Sequence, residues 1–268
     1  MIRLLATGLS LGLIVLVAAA AGALAQSEDT PPLERSLELG ADWAHYYEGI
    51  DEDLNGQFLR YFQARQDRYG FLAEIGRAEG FGEESFNYGA SYTHHLPPAW
   101  RFTVGLSSGT GEIIAPEYRL DLSVGRAFLA ERNLIATLGY TRIQSKGENR
   151  SDGFGLEIVH YAHPHWMYSL MARYDLGQPG DTESVLGGAS LTFYQYRRSY
   201  LTAAIEFGDI AYMLVEEGEA LVDFQSRSYS LLLIQYLSRR FGFHLKGSYT
   251  DTDDYRLRGL SFSLFQEF

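Results

Sequence analysis

The sequence predicts an all-β fold, a single closed antiparallel transmembrane barrel of about 14 strands with 12 as the alternative count, and three observations predict it. Large apolar residues recur at every second position through one segment after another. Tight turns alternate with longer, acidic, Gly-bearing connections. The last segment, Gly259 to Phe268, alternates up to its final aromatic. Only a closed sheet satisfies all of its backbone groups in hydrocarbon, so strands cross lipid as barrels.

Taken in order, residues 1–25 read as a cleaved signal peptide. Arg3 supplies the positive start, Leu4 to Gly22 the apolar stretch and Ala23-Leu24-Ala25 the small-residue cleavage pattern. The alternative, a retained anchor, lacks a positive stop-transfer flank, because Glu28, Asp29, Pro31 and Pro32 follow instead. Residues 26–35 are expected to form a short periplasmic lead-in, and 36–268 the barrel. With no Cys in the chain, a lipoprotein anchor, disulfides and thiolate chemistry are excluded. After the leader no apolar run approaches the ~20 residues of a helical span; the densest is Leu231 to Ile234.

The clearest strand is Tyr118 to Phe128, whose even positions are mostly large and apolar while Arg119, Asp121, Ser123, Gly125 and Ala127 hold the odd ones. Similar alternation marks 100–106, 134–140, 154–160, 166–176, 201–207, 229–237, 241–249 and 260–268, with noisier strands at 36–48, 54–66, 69–79 and 84–95 and a Gly-rich one at 183–196. Tight turns fall at 66–68, 96–98, 129–131, 162–164, 197–198 and 238–239. The connections between them, 49–53, 80–83, 109–115, 145–150, 177–182, 209–223 and 251–255, are expected to be longer. Short periplasmic turns and longer outer loops place such a barrel in the outer membrane of a Gram-negative bacterium. Its 19 Tyr and 16 Phe suit aromatic girdles at the two lipid–water boundaries. A soluble sandwich or lipocalin-like cup, the alternative, gives no reason for large apolar residues to face outward on so many strands. The net charge of −12 argues against a nucleic-acid partner, which calls for a basic face.

Several spaced stretches carry a resemblance: Arg77-Ala-Glu79 with Phe81-Gly82, Tyr88 to Tyr92, Pro98-Ala-Trp100, Pro116-Glu-Tyr118, Gly139 to Arg142, Gly155-Leu-Glu157, and Gly259-Leu260 with Phe268. Through them the chain resembles the YaiO family of outer-membrane β-barrel proteins over most of 36–268. The resemblance implies an outer-membrane barrel, and, since some members are associated with exopolysaccharide systems, a polysaccharide or its export system as partner. Some members carry a tetratricopeptide segment upstream. This sequence has none, so docking to a polysaccharide synthase through such an arm is not expected.

Strand parity assigns Glu38, Asp42, Glu74, Arg119, Asp121, Glu157, Arg173, Asp175, Glu206 and Lys246 to the lumen. These charges either line a watered channel or pair into a ladder that fills the interior, and a narrow or partly occluded lumen is expected. Gly259, Leu260, Phe262, Leu264 and Phe268 are expected to form the signal taken by the barrel-assembly machinery, with outer-membrane lipids and lipopolysaccharide as surroundings. The His94-His95 pair and His160, His163 and His165 lie by parity at the periplasmic rim; an enzymatic site there needs a facing Ser, which the sequence does not place. The opening Asp51, Asp53, Asn55, Gly56 imitates a calcium loop, but its twelfth position is Phe62 in place of Glu. No catalytic set, cofactor or metal site is therefore assigned. Residues 209–223 read either as a lid or surface-contact loop, or as two strand extensions above the membrane. The function expected is a non-enzymatic transport or envelope-assembly role linked to surface polysaccharide; the alternative is a barrel enzyme modifying outer-membrane lipid or glycan.

Overall fold

Segments that alternate between two solvents become strands with two unlike faces. The computed structural model describes residues 33–48, 51–65, 68–111, 114–147, 149–178, 181–216 and 219–268, and the side chains of 210–224 are outside the description. Its strands are β1 (Leu33–Tyr47), β2 (Glu52–Arg65), β3 (Tyr69–Gly80), β4 (Glu83–Leu96), β5 (Trp100–Gly109), β6 (Tyr118–Phe128) and β7 (Leu134–Gln144). They continue with β8 (Arg150–His163), β9 (Trp166–Gln178), β10 (Thr182–Gln195), β11 (Ser199–Glu216), β12 (Glu219–Tyr236), β13 (Phe241–Thr252) and β14 (Arg256–Glu267). The leader expected at 1–25 and the lead-in up to residue 32 lie outside the described residues. β1 already starts at Leu33, paired with Arg65.

Each strand pairs antiparallel with its neighbours in sequence, and β1 closes on β14 to complete the barrel. The seam runs from Ser36 opposite Glu267 to Tyr47 opposite Arg256. It is continued by the Phe268 amide, which donates to the Arg35 carbonyl at 3.0 Å. No sheet edge is left for water to satisfy.

Burial is inverted relative to a soluble protein. Leu39, Leu170 and Ile75 are exposed by 62%, 60% and 59%, whereas Asp175, Thr192 and Ser263 are each 2% exposed. The apolar residues therefore face the lipid and the polar ones face inward. Inside, hydroxyls bridge neighbouring strands, as in Thr93 to Thr103 at 2.9 Å and Thr192 to Thr202 at 2.8 Å.

Two expectations about connections need correction. The difference in loop length is smaller than parity reading implied, because outer connections such as 81–82 and 253–255 are as short as the turns at 97–99 and 196–198. The strands themselves take up those residues. Segment 209–223 is no lid: β11 and β12 are 18 residues each and stay in register from Asp209 opposite Gln225 to Leu214 opposite Ala220. Since a barrel strand spans the membrane in ~9–11 residues, this hairpin projects well beyond it. The described residues of the connection after β5, 110–111 and 114–117, do fold inward. The Gly111 amide donates to Ser85 Oγ at 3.2 Å and the Ile114 amide to Glu83 Oε1 at 2.5 Å, while Ile114 and Ala115 are buried. Lys146, from the next outer connection, donates to the Thr110 carbonyl and, at 2.6 Å, to that of Gly111.

Candidate functional site

Residues directly opposite each other in an antiparallel pair share a face, so the register tells which side chains meet inside. Glu38 lies opposite Arg60, and Arg60 opposite Glu74. Arg60 Nε donates to Glu74 Oε2, its Nη1 sits 3.7 Å from Glu38 Oε1, and its guanidinium lies 4.0 Å over the Phe58 ring. On the far side of the seam His244 and Ser263 are paired in register and both turn to Glu38. Nδ1 of His244 is 2.9 Å from Oε1, and the Ser263 hydroxyl donates to the same oxygen at 2.5 Å. Glu38 is thus a hub joining β1, β2, β13 and β14. Lys246 extends the network, within electrostatic reach of Glu206 and Asp42, and Glu206 is in turn within reach of Arg173. Arg173 closes on Asp175 through Nε at 2.8 Å and Nη2 at 2.6 Å. Burying such charges costs several kcal/mol per ion unless each is paired and hydrogen-bonded, and here the partners are supplied by register.

The two inward-facing Arg-x-Asp stretches behave alike because residues two apart on a strand share a face. Arg119 grips Asp121 through Nε at 2.7 Å and Nη2 at 2.8 Å, and Thr141 Oγ1 donates to Asp121 at 2.8 Å. Arg101 donates from Nη2 to Thr137 Oγ1 at 2.7 Å and lies within electrostatic reach of Glu157. Arg60, Arg101 and His244 are inner-face charges that sequence reading passed over. For His244 the signal was available, since Phe243 and Leu245 flank it and face outward.

The wall from β3 to β8 carries a row of small residues between these polar groups. One row of registered partners runs Gly155, Gly139, Ser123, Thr103, Thr93 and Gly70, from β8 to β3. A Cβ added at Gly139 or Gly155 would meet only neighbouring backbone, at 3.8 and 3.9 Å. Elsewhere side chains lie over the glycines: Arg101 covers Gly125, and Arg173 with Asp175 covers Gly153. Because strands tilt across the barrel, this row climbs from near the β2–β3 and β4–β5 turns toward the outer end of β8. Asp121 and Thr141 border it on one side, Arg101, Thr137 and Glu157 on the other.

An aromatic layer narrows the short-turn end. Tyr194 stacks on Tyr200 with centroids 6.0 Å apart, and Tyr236 meets Phe265 edge-on at 4.9 Å. The Tyr236 hydroxyl donates to Glu267 at 2.7 Å, and Arg197 from the turn lies 3.3 Å from the same carboxylate.

Three of the rim histidines have described partners other than Ser. His94 meets the Tyr92 hydroxyl at 3.3 Å, His165 the Tyr194 carbonyl at 3.2 Å, and His163 packs on His165 at 6.0 Å. At the seam His244 and Ser263 both meet Glu38, and Ser263 is 2% exposed. Asn55 and Gly56 belong to strand β2, and Asp53 bonds His45 at 3.0 Å, so the calcium-like opening is extended backbone. Among the described residues no group of acidic and imidazole side chains is placed to hold a metal ion. Gly259, Leu260, Phe262 and Leu264 lie on β14, with Leu260 and Phe262 facing lipid.

Residues 34–213 match the YaiO membrane β-barrel domain. No curated protein matches the chain. Among solved structures, the CymD monoaromatic hydrocarbon channel aligns with a TM-score of 0.57 at 8% identity, over 90% of this chain and 89% of that one. A bacterial polysaccharide outer membrane secretin aligns at 0.54 and 8%, covering 87% of this chain and 98% of its own. The anion-selective porin from Comamonas acidovorans aligns at 0.50 and 9%, covering 88% and 99%. At such identities these likenesses establish the fold, an outer-membrane barrel, and no more.

Proposed function

The chain belongs to the YaiO membrane β-barrel family, and from that premise we propose that it is a non-enzymatic conduit of the outer membrane for a hydrated, elongated solute of the glycan class. The observation that carries this reading is the row of small residues from Gly70 to Gly155, in which a Cβ added at Gly139 or Gly155 would meet nothing but neighbouring backbone, beside a seam joined by ion pairs. A passage bordered by Asp121, Thr141, Arg101, Thr137 and Glu157 offers donors and acceptors of both kinds, as a chain of hydroxyls requires. Arg68, Arg132, Arg197, Arg198, Arg239 and Arg240 crowd the short-turn end, which by outer-membrane convention faces the periplasm, whereas Glu48, Asp51, Asp181, Asp251, Asp253 and Asp254 crowd the outer one. Such an axial field draws a polyanion in from the periplasm and repels it on the outside, which favours an acidic surface polysaccharide over a neutral one. The polysaccharide secretin among similar folds is compatible with that reading. The same proposal includes removal of the leader 1–25, recognition of Gly259, Leu260, Phe262, Leu264 and Phe268 by the barrel-assembly machinery, and a role in passage for Glu38, Asp42, Glu74, Arg119, Asp121, Glu157, Arg173, Asp175, Glu206 and Lys246.

Conductance of the purified protein in a planar bilayer tests it. Wild type is expected to give discrete steps, and Gly139→Phe with Gly155→Phe to cut step size by more than half without loss of folding, seen as retained heat-modifiable migration on a gel. A folded wild-type barrel that passes no ions, or filled variants that conduct like wild type, would remove the conduit.

A further inference from the structure

The lipid-facing side of β4 to β8 carries a feature unrelated to the lumen. A shallow hollow of about 560 Å³ is lined by Phe102, Val104, Leu122, Val124, Leu138 and, at its upper end, Tyr140. Register makes it oblique: Tyr92 lies opposite Val104, Val104 opposite Leu122, and Leu122 opposite Tyr140. Those three inter-strand steps of ~4.8 Å span ~14 Å and rise toward the outer end of the barrel.

Directly above Tyr140 the outward face becomes cationic. Arg142 lies opposite Asp152, and Arg150 opposite Gln144, all on the same face as Tyr140. The cluster holds two guanidiniums and one carboxylate. Asp152 is already engaged, accepting from the Tyr140 hydroxyl at 2.6 Å and from Arg150 Nε at 2.8 Å. Arg142 bonds the Tyr140 and Tyr118 hydroxyls, while its buried Nε–H has no hydrogen-bond partner among the described residues. The cluster therefore holds one more positive than negative charge at the outer boundary of a protein whose overall charge is −12. Charge at that depth, continuous with an apolar hollow below, matches an amphiphile with an anionic head and acyl chains. Arginine forks bind phosphate oxygens in pairs, which a lone lysine cannot do.

We propose that this face is a binding site for the phosphorylated glycolipid of the outer leaflet, lipid A, with a phosphate on Arg142 and Arg150 and an acyl chain in the hollow beneath Tyr140. The inference depends only on the membrane location and stands or falls apart from the conduit. Its test is native mass spectrometry of the full-length protein in mild detergent, titrated with bisphosphorylated lipid A, dephosphorylated lipid A and phosphatidylglycerol. Wild type is expected to retain bisphosphorylated lipid A at least tenfold better than either of the others. Arg142→Gln with Arg150→Gln should abolish that preference, and Leu138→Trp, which fills the hollow while sparing the arginines, should weaken it severalfold. Arg77→Gln, an outward arginine on β3, serves as the control and should leave it intact. Equal retention of phosphatidylglycerol, no retention by folded wild type, or undiminished preference in the double variant would each overturn the site.

Discussion

The two walls of the lumen differ in what their register does. Around the seam, charged side chains meet partners one or two strands away: Glu38 with Arg60, His244 and Ser263, and Arg60 with Glu74. From β3 to β8 the register instead lines up Gly70, Thr93, Thr103, Ser123, Gly139 and Gly155, small and uncharged residues whose one described side-chain bond is that between Thr93 and Thr103. The difference separates two jobs usually confounded in a barrel interior. Around the closure between first and last strands the polar groups hold one another, whereas the row of small residues carries no ion pair and is where the proposed conduit would run.

Removing the hub should produce the largest effect and would break the comparison most directly. Glu38→Ala leaves Arg60 and His244 facing one another in a part-buried site without their shared carboxylate. Breaking a buried ion pair from one side costs about 3–5 kcal/mol, so the variant is expected to unfold at markedly lower urea concentration in detergent micelles. An unchanged midpoint would mean that the ion pairs near the seam do not hold it. Asp175→Asn should come next: Asp175 is 2% exposed and accepts two bonds from Arg173, and a neutral acceptor weakens but does not remove them. A loss of about 1.5–3 kcal/mol is expected, the value for hydrogen bonds to charged groups. At the short-turn end, Tyr236→Phe deletes one bond to Glu267 while keeping the ring against Phe265, and about 1 kcal/mol is expected from the same unfolding measurement.

Which faces point inward was legible in the sequence, because period two is a local property. Arg119, Asp121, Arg173 and Asp175 sit two apart in strands whose alternation is clean, and their pairing needs no information from other strands. Arg60 escaped because Phe58 and Phe62 share its face and mask the alternation of β2. What local pattern cannot supply is the stagger between strands, which decides that Glu38 meets His244 across 206 residues of sequence, or that six small residues fall into one row. The long hairpin of β11 and β12 was ambiguous for a related reason: acidic, Gly-bearing sequence looks the same whether it loops or pairs above the membrane. Likewise the inward placement of Gly111 and Ile114 depends on Glu83, Ser85 and Lys146 from other connections and strands.

The smallest effect is the sharpest test of the contrast. Ser123→Ala changes the middle of the row of small residues, where the neighbours in register are Thr103 and Gly139 and no partner depends on the side chain for charge balance. Substitutions away from packed or paired features usually move stability by no more than ~0.5 kcal/mol, and the urea midpoint is expected to stay within that range. In the proposed conduit, removing a hydroxyl alters what the row can solvate, so a modest change in ion selectivity, read from the reversal potential under a salt gradient, should accompany the unchanged stability. A loss of several kcal/mol at Ser123 would mean that the small-residue wall is as tightly committed to the fold as the charged one, and that the division of labour between the two walls is not real.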